Sequence, residues 1–444
     1  MIKTLRDALK VKEIRTRLWY TFFILVLVRV GTQLPLPFAD YEAIKDAAGS
    51  LKDGAFSFFN AMTGGSYERY SVFTLSITPY ITSSIIMQLL TIAIPKLEEM
   101  QKDGEDGRKK ITEITRYVTI ALSLIQSTAM AINFYNGGIF GSTAGNSTLK
   151  HWGIIIVAIA VMTAGSAILM WMGENVTEKG LGNGISVILL INIVSTMPDD
   201  FIALFEKFVL NASSKGAAGL SIVIIFAVVA FVVGFVVLLN GGERRISVQY
   251  SKKMQGRKVY GGQSTHIPLQ LNTAGVIPII FAQSLLTFPA VIFEFVKGSG
   301  SAPEWTHYLS SSYWFRTGAL AKYSVGFILY IVLVVAFAYF YTSITFNPIE
   351  VADNMKKQGG FIPGIRPGKP TQDYLNAILN NLVFIGAVGL ILVATVPLVI
   401  SGVFNASLSF GGTSLIIIVG VILETMKQVE SLMVVRSYQG FLNI

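Results

Sequence analysis

The chain has 444 residues, a mean hydropathy of +0.59, only 14% charged residues and a formal net charge of +9. This composition excludes an ordinary soluble domain and indicates a protein that lies mostly in lipid. The lack of cysteine excludes disulfides, thiolate metal sites and cysteine nucleophiles. Three isolated histidines, His151, His266 and His307, cannot form a metal cluster, so we expect neither a metal nor a cofactor.

Ten apolar stretches approach the length of roughly 20 helical residues that crosses a hydrocarbon core. In chain order they cover approximately residues 18–34, 73–94, 117–134, 152–172, 185–197, 220–240, 274–296, 325–346, 377–399 and 414–435. The segments between them do not exceed about 40 residues, which is short for an independent domain. The sequence therefore predicts an all-α polytopic membrane protein with ten transmembrane helices.

Basic residues alternate from loop to loop. Of 35 lysines and arginines, 25 lie in the amino terminus, the even-numbered loops and the carboxyl-terminal segment, nine lie in the odd-numbered loops, and Arg29 lies within the first span. Because loops rich in Lys and Arg stay in the cytoplasm, both termini are predicted to be cytoplasmic. A charge within a span needs a partner, a polar cavity or a path to the interface, so Arg29 is expected to pack in the bundle or to snorkel outward.

Pro79 and Pro278 occupy similar settings near the start of the second and seventh spans. Proline removes a backbone donor, so each is expected to kink its helix. Their separation by five spans is typical of two five-helix halves with opposite membrane orientation around a central cavity. We place the halves at residues 1–200 and 201–444. Chance is the alternative explanation, since proline is common in transmembrane helices.

The first external loop, residues 35–72, contains a short apolar segment at about 55–65. Phe56, Phe59 and Met62 recur there at helical spacing, and the segment ends in Gly64 and Gly65, which can act as a hinge. The segment is too short to span the membrane. Both a re-entrant helix shielded by the bundle and a helix on the outer surface fit this pattern.

The sequence does not fit the motifs of nucleotide-binding or catalytic sites. A Gly-Lys step at 368–369 is flanked by Pro363 and Pro370, where a P-loop needs Gly and Ser or Thr. The spans contain neither paired carboxylates nor a serine beside a base, which argues against an enzyme. A secondary solute transporter with inverted repeats is the alternative function. It would need coupling acids near the membrane midplane, and Glu424 is the one acid well within a span.

Several ordered motifs resemble the SecY family of protein-conducting channels. The two longest are GGERRISVQY at 241–250, continuing through QGRKVY at 255–260 and QSTHIPL at 263–269, and ADNMKKQGGFIPGIRPG at 352–368. Shorter matches are SSIIMQLL at 83–90, GNGIS at 182–186 and FGGTSL at 410–415. The resemblance covers essentially the whole chain and implies ten helices in two inverted halves around an hourglass pore.

The resemblance also implies a ring of apolar side chains at the narrowest point of that pore. By motif position, its members are Ile77, Ile81, Ile185, Leu189, Ile280 and Ile417. Leu189 stands where the family commonly has isoleucine. An apolar ring has no charge to bind a passing chain, and its narrow neck dewets when empty, which excludes hydrated ions.

The segment with Phe56, Phe59, Met62, Gly64 and Gly65 resembles the family's plug, which fills the outer funnel and swings aside. The second and seventh spans resemble the lateral gate. Its polar positions match Thr82, Gln126 and Asn272. Hydrogen bonds between membrane helices contribute only about 0.6 to 2 kcal/mol each, which suits a seam that must open.

The basic loops at 241–272 and 347–373 resemble the cytoplasmic docking face of the family. The implied docking residues are Arg244, Arg245, Lys252, Lys253, Arg257, Lys258, Lys356, Lys357 and Arg366. The implied partners are the SecA motor ATPase, the ribosome, the SecE and SecG subunits, signal peptides, nascent polypeptides and membrane lipids. The implied function is protein translocation across the bacterial plasma membrane, with lateral release of transmembrane segments.

Overall fold

The structure, a computed structural model, describes most of the chain. The described residues are 6, 8–40, 42–44, 60, 62–140, 148–206, 209, 215–250, 253–255, 258–260, 264–297, 303–315, 322–403 and 412–442. They include all ten predicted spans and both basic loops at 241–272 and 347–373, apart from short gaps in the first of these loops.

Each of the ten predicted spans contains an α-helix, so the mainly helical fold is confirmed. The helices are α1 Lys12–Gln33, α2 Thr78–Ala93, α3 Pro95–Lys102, α4 Glu105–Asn136, α5 Thr148–Lys179, α6 Gly184–Phe205, α7 Lys215–Gly241, α8 Ile277–Lys297, α9 Thr306–Leu309, α10 Val325–Thr345, α11 Pro348–Lys357, α12 Lys369–Val403 and α13 Gly412–Leu442. Among the described residues, five helices are long and apolar enough to cross a membrane, or six if α2 and α3 form one broken span. The count of ten crossings stays a prediction.

The second span differs in detail from the sequence-based prediction. Residues 72–77 form turns rather than helix, and α2 begins at Thr78. Pro79 is the second residue of α2 and Pro278 the second residue of α8. The predicted kinks at these prolines are therefore wrong, because a first-turn residue has no intrahelical N–H bond to lose. The sharp bend lies instead at Ile94, where α2 and α3 meet at 101°.

Helix neighbours follow the same scheme before and after residue 206. In the first group α2 packs on α4, α4 on α5, α5 on α6, and α1 contacts both α5 and α6. In the second group α8 packs on α10, α10 on α12, α12 on α13, and α7 contacts both α12 and α13. The two groups meet where α6 packs on α13 and where α4 packs on α8. The division into inverted halves stays a prediction, and this repeated scheme supports it.

A small β-sheet, which was not predicted from the sequence, joins the long basic loop after α7 to the loop after α11. Its strands are β1 Glu243–Tyr250, β4 Ser264–Gln270 and β5 Gly360–Phe361, in the order β4-β1-β5, while β2 Lys253–Gln255 and β3 Lys258–Tyr260 form a separate hairpin. Ile246 and Val248 alternate with exposed residues along β1 and are buried. They pack with Met355 of α11 and Leu375 of α12 into one core, so the sheet, α11 and the start of α12 form one unit.

Candidate functional site

All six predicted ring residues lie in one apolar cluster. Ile77, Leu189, Ile280 and Ile417 are buried in it, and Ile81 and Ile185 are half-buried and pack against it. These residues come from α2, α6, α8 and α13, and therefore from both groups of helices. The structure brings together positions that are far apart in the sequence.

Helix starts position most of these side chains. Ile77 immediately precedes α2, and Ile81 lies one turn later on the same face. Ile185 and Leu189 have the same spacing in the first turns of α6. The Oδ1 atom of Asn183 accepts from the N–H groups of Ile185 and Ser186 at 3.2 and 3.4 Å and caps that helix. The apolar side chains are thus presented by the ends of helices, where each backbone is held in place.

The turn before α6 is tied to helices on both sides. Gly182 has φ +80°, a left-handed conformation suited to glycine, and its N–H donates to the Oε1 atom of Gln428 in α13. The N–H of Leu181 donates to the Thr21 hydroxyl of α1 at 3.0 Å. The GNGIS motif therefore connects the α6 start to α1 and to α13. The sequence analysis did not identify Gln428 or Thr21, since neither lies in a recognisable motif.

The end of the predicted plug segment reaches the apolar cluster. Met62 is 4% exposed and belongs to the same cluster as the ring residues. Gly64 and Gly65 have φ of +69° and +78°, so both adopt the left-handed conformation that favours glycine. Phe56 and Phe59 lie outside the described residues, so their role in a plug stays a prediction.

Two polar side chains beside this segment were not predicted as site residues. Arg29 of α1 donates from Nη1 to the carbonyl of Gly64 at 3.2 Å. Asn192 of α6 is 1% exposed, and its Nδ2 donates to the carbonyl of Met62 at 3.2 Å and to the Ser76 hydroxyl at 3.1 Å. Arg29 stood out in the sequence as a charge within a span. Asn192 could not be singled out in this way, because a single amide side chain in an apolar helix commonly serves only to pack helices together.

The three predicted gate residues are not joined by hydrogen bonds. The Thr82 hydroxyl donates to the Thr78 carbonyl within α2 at 3.0 Å. Asn272 is buried, and its Nδ2 donates to Oδ1 of Asn240, at the end of α7, at 2.7 Å. Gln126 makes no side-chain hydrogen bond in the described part of the chain. Their assignment to a gate seam stays a prediction.

A cavity of about 280 Å³ opens between α2, α3, α4 and the end of α10. Its lining includes Gln88 of α2, Gln101 of α3, Arg108 and Thr112 of α4, and Ile344 of α10. Helices α2 and α8 make few contacts with each other, whereas α4 packs directly on α8. The region next to α2 is therefore less tightly packed and more polar than the apolar cluster.

Most of the described residues that were predicted to dock a partner belong to the unit formed by the three-stranded sheet, α11 and the start of α12. Arg244 and Arg245 are exposed on β1, and Arg245 forms an ion pair with Glu243. Lys356 and Lys357 are exposed in the last turn of α11, where cations complement the helix dipole. Lys253 and Lys258 lie in the β2–β3 hairpin. Lys252 and Arg257 lie outside the described residues.

Arg366 occupies a well-defined exposed turn. Gly364 and Gly368 flank it with φ of +84° and +102°, and the Arg366 carbonyl accepts from the Thr371 hydroxyl at 2.8 Å. The N–H of Ile365 donates to the Ile362 carbonyl at 3.0 Å. The backbone on both sides is therefore held while the guanidinium stays in solvent, an arrangement suited to contact with an acidic or phosphate-bearing partner.

Glu424, the acid on which a solute-transport mechanism would depend, is exposed in α13. The described residues place no Lys, Arg or His within ion-pair distance of it. A coupling acid is expected in a buried site with a second polar ligand. The surroundings of Glu424 give no support to the transporter alternative.

Comparison with known proteins decides the family. The SecY family model matches residues 71–426, which is most of the chain. The chain belongs to the SecY family. Among curated SecY relatives, the protein translocase subunit SecY of Streptomyces lividans is 43% identical over 449 aligned positions, and the alignment covers 100% of both chains.

Solved structures share the SecY fold. A structure described as "The structure of a protein conducting channel" has a TM-score of 0.65 at 20% identity, covering 95% of this chain and 93% of the other. One described as "The plug domain of the SecY protein stablizes the closed state of the translocation channel and maintains a membrane seal" has a TM-score of 0.64 at 21% identity with the same coverage. A structure described as "Sec61 in the Canine ribosome-channel complex from the endoplasmic reticulum" has a TM-score of 0.61 at 19% identity, covering 95% of this chain and 93% of the other. At these identities the likeness shows the fold alone.

Proposed function

We propose that this chain is the pore of a protein translocase, through which unfolded polypeptides cross the membrane. The single observation that carries the proposal is the convergence of Ile77, Leu189, Ile280 and Ile417 in one apolar cluster built from both groups of helices. Together with Ile81 and Ile185 they would form the ring. The chain would be a passive pore, with energy supplied by a partner that pushes the polypeptide through.

An apolar ring meets the two opposing demands on such a pore. A polypeptide of any sequence can pass, because aliphatic side chains offer no charged or hydrogen-bonding group that would hold it. Hydrated ions are refused, because a narrow apolar neck favours dewetting when it is empty. Branched aliphatic side chains can also change rotamer around a passing chain, so the seal follows the width of the substrate.

The segment at 55–65 would act as the plug above this ring. Met62 packs in the ring cluster, and the left-handed conformations of Gly64 and Gly65 mark a place where the backbone can change direction. The plug domain of the related SecY is described as stabilising the closed state and maintaining a membrane seal. The membership of Met62 in the cluster that contains the ring residues supports a similar role here.

The seam between α2 and α8 would be the lateral gate for signal peptides and transmembrane segments. Few contacts join these two helices, and a polar cavity lies beside α2. Thr82, Gln126 and Asn272 would line the seam. Weak hydrogen bonding there would suit a gate that opens when an apolar helix binds.

The cytoplasmic unit of β1, β4, β5 and α11 would dock the ribosome or the SecA motor, while SecE and SecG would be the other subunits. Ribosomal RNA and acidic protein surfaces are both attracted to an exposed basic face. A canine relative is described in a ribosome-channel complex. The basic loops would then lie on the cytoplasmic side of the bacterial plasma membrane, with both chain termini on that side.

Site-directed crosslinking tests the pore. Because the chain has no cysteine, Ile280→Cys introduces a single thiol at the ring, and Ile328→Cys introduces one on α10 at a side chain that is 62% exposed. A secretory chain stalled in transit and carrying a thiol-reactive probe should form an adduct with Cys at 280 but not at 328. An adduct at 328 with none at 280 would overturn the pore assignment.

A further inference from the structure

Arg29 is a charge within α1 that finds a specific partner. Its Nη1 donates to the Gly64 carbonyl at 3.2 Å, at the end of the plug segment. A guanidinium at membrane depth is expensive unless it is hydrogen-bonded. Gly64 has no side chain in the way, and a Cβ atom there would lie 2.8 Å from the same Nη1 atom. The close approach of α1 to the plug end therefore depends on both residues.

Asn192 holds the same segment from the side of α6. It is 1% exposed, and its amide nitrogen donates to the Met62 carbonyl and to the Ser76 hydroxyl. Met62 lies at the start of the loop 62–76 and Ser76 at its end, two residues before α2. A single buried amide thus joins both ends of this loop to the helix that carries Leu189.

Local hydrogen bonds hold the end of the plug segment and the turn that follows it together. The Oδ1 atom of Asn60 accepts from the N–H of Glu68, and its Nδ2 donates to Oε2 of Glu68, both at 3.2 Å. The Thr63 hydroxyl donates to the Asn60 carbonyl at 3.1 Å, and the N–H of Gly65 donates to that carbonyl at 3.0 Å. The groups that Arg29 and Asn192 bind therefore belong to one hydrogen-bonded turn.

We infer that Arg29 and Asn192 are positioning residues that latch the end of the proposed plug, at Met62 and Gly64, while the channel is empty. Displacing the plug would break the bonds to the Gly64 and Met62 carbonyls, and those polar groups would need water or the entering polypeptide as new partners. The latch rests on the proposed pore and plug. It adds two residues of α1 and α6 that set how readily the empty channel opens.

The ion flux through the resting channel tests the proposed latch. The full chain in its assembled translocase would be reconstituted in vesicles, and chloride efflux would be measured with no substrate present. Asn192→Leu removes both donated hydrogen bonds, and Asn175→Leu is its control, because the Asn175 amide bonds only to the Trp171 carbonyl in its own helix. We expect efflux to rise about tenfold for Asn192→Leu and to stay unchanged for Asn175→Leu. Equal efflux in these two variants would overturn the latch.

Arg29→Met gives a second reading, with Arg15→Met as its control, since Arg15 is exposed near the start of the same helix. Arg29→Met should also raise efflux about tenfold. A variant that deletes the whole plug segment, residues 55–65, sets the flux of an unplugged channel. If the deletion variant raises chloride efflux while Asn192→Leu and Arg29→Met do not, the latch is wrong but the proposed plug is supported. If the deletion itself does not leak, the proposed plug fails.

Gly64→Ala keeps the test decisive if either polar variant fails to assemble. The added methyl would press on Arg29 at a left-handed position, whereas Gly138→Ala carries a similar φ of +75° with no atom within 4 Å. Both variants therefore suffer comparable backbone strain, and only the first displaces the arginine. Higher efflux for Gly64→Ala than for Gly138→Ala supports the latch, and equal efflux contradicts it.

Discussion

Gln249 of β1 pairs with Phe361 of β5, and this pairing joins the loop after α7 to the loop after α11, which α8 and α10 separate in the chain. The neighbouring pair, Tyr250 and Gly360, extends the contact. The basic residues of both loops therefore sit on one framework instead of moving independently.

Filling the space at Gly360 should loosen this framework. A Cβ atom at Gly360 would lie 2.9 Å from both the Tyr250 ring and the Met355 side chain. Gly360→Ala is expected to cost roughly 1 to 3 kcal/mol of local stability, since overpacking displaces neighbours. Hydrogen exchange of the β1 amides should speed up accordingly. Gly241→Ala, where no atom lies within 4 Å of the added Cβ, is the control and should leave β1 protection unchanged.

Removing the Arg366 side chain should weaken partner binding. The turn at 364–368 keeps this guanidinium exposed in a fixed place, so Arg366→Ala is expected to lower affinity for ribosomes or the motor about tenfold. If phosphate is the partner group, the dependence of log affinity on log salt should also become shallower by about one unit. Lys369→Ala, at the exposed start of α12, is the comparison. Equal losses for both variants would mean that net charge, not the turn, governs docking.

A polar group in the ring should raise ion leakage. Leu189 is 6% exposed among aliphatic neighbours, so Leu189→Asn places a hydrogen-bonding group where dewetting excludes ions. Resting conductance in planar bilayers is expected to rise on the order of tenfold. Leu189→Ile conserves volume and should leave conductance unchanged. A rise of equal size for Leu189→Ile would show that shape alone, rather than polarity, controls the seal.

The amides of the loop between α8 and α10 should exchange hydrogen faster, relative to their intrinsic rates, at acid pH than at neutral pH. Glu304 accepts hydrogen bonds from Lys322 and from the Tyr323 hydroxyl, and these bonds, with His307 nearby, hold the pKa of the Glu304 carboxyl below its ordinary value. A carboxyl with a lowered pKa in the folded state contributes stability above the ordinary glutamate pKa. That contribution is lost as the pH falls through the lowered value.

Hydrogen exchange of residues 303–315, corrected for intrinsic rates, checks this prediction between pH 7 and pH 3. Protection should be retained at pH 7 and fall toward pH 3 in the unaltered chain. Glu304→Gln should have lower protection at pH 7 and little further change. Glu350→Gln, an exposed substitution in α11, should behave as the unaltered chain. An unchanged pH profile for Glu304→Gln would contradict the assignment to this carboxyl.

The helical segments and the motif residues could be predicted from the sequence. Apolar length and the distribution of Lys and Arg are local properties, so a helix was expected in each of the ten spans, and the family motifs indicated Ile77 and Ile280 as members of the ring. Local reasoning failed at Pro79 and Pro278, because a proline is harmless in a first turn and the pattern did not show where each helix starts.

The sheet between the two basic loops and the partners of Arg29 and Asn192 could not be read from the sequence. The sheet requires β1 to meet β5 from another loop, and the hydrogen bonds of Arg29 and Asn192 form only where α1, α6 and residues 62–76 pack together. Both join residues that are far apart in the chain. A buried donor must find an acceptor wherever the fold supplies one, whereas an apolar side chain needs only an apolar surrounding. The positions of apolar side chains can therefore be recognised from the sequence alone. The hydrogen-bond partners of buried polar side chains are decided only when the helices pack together.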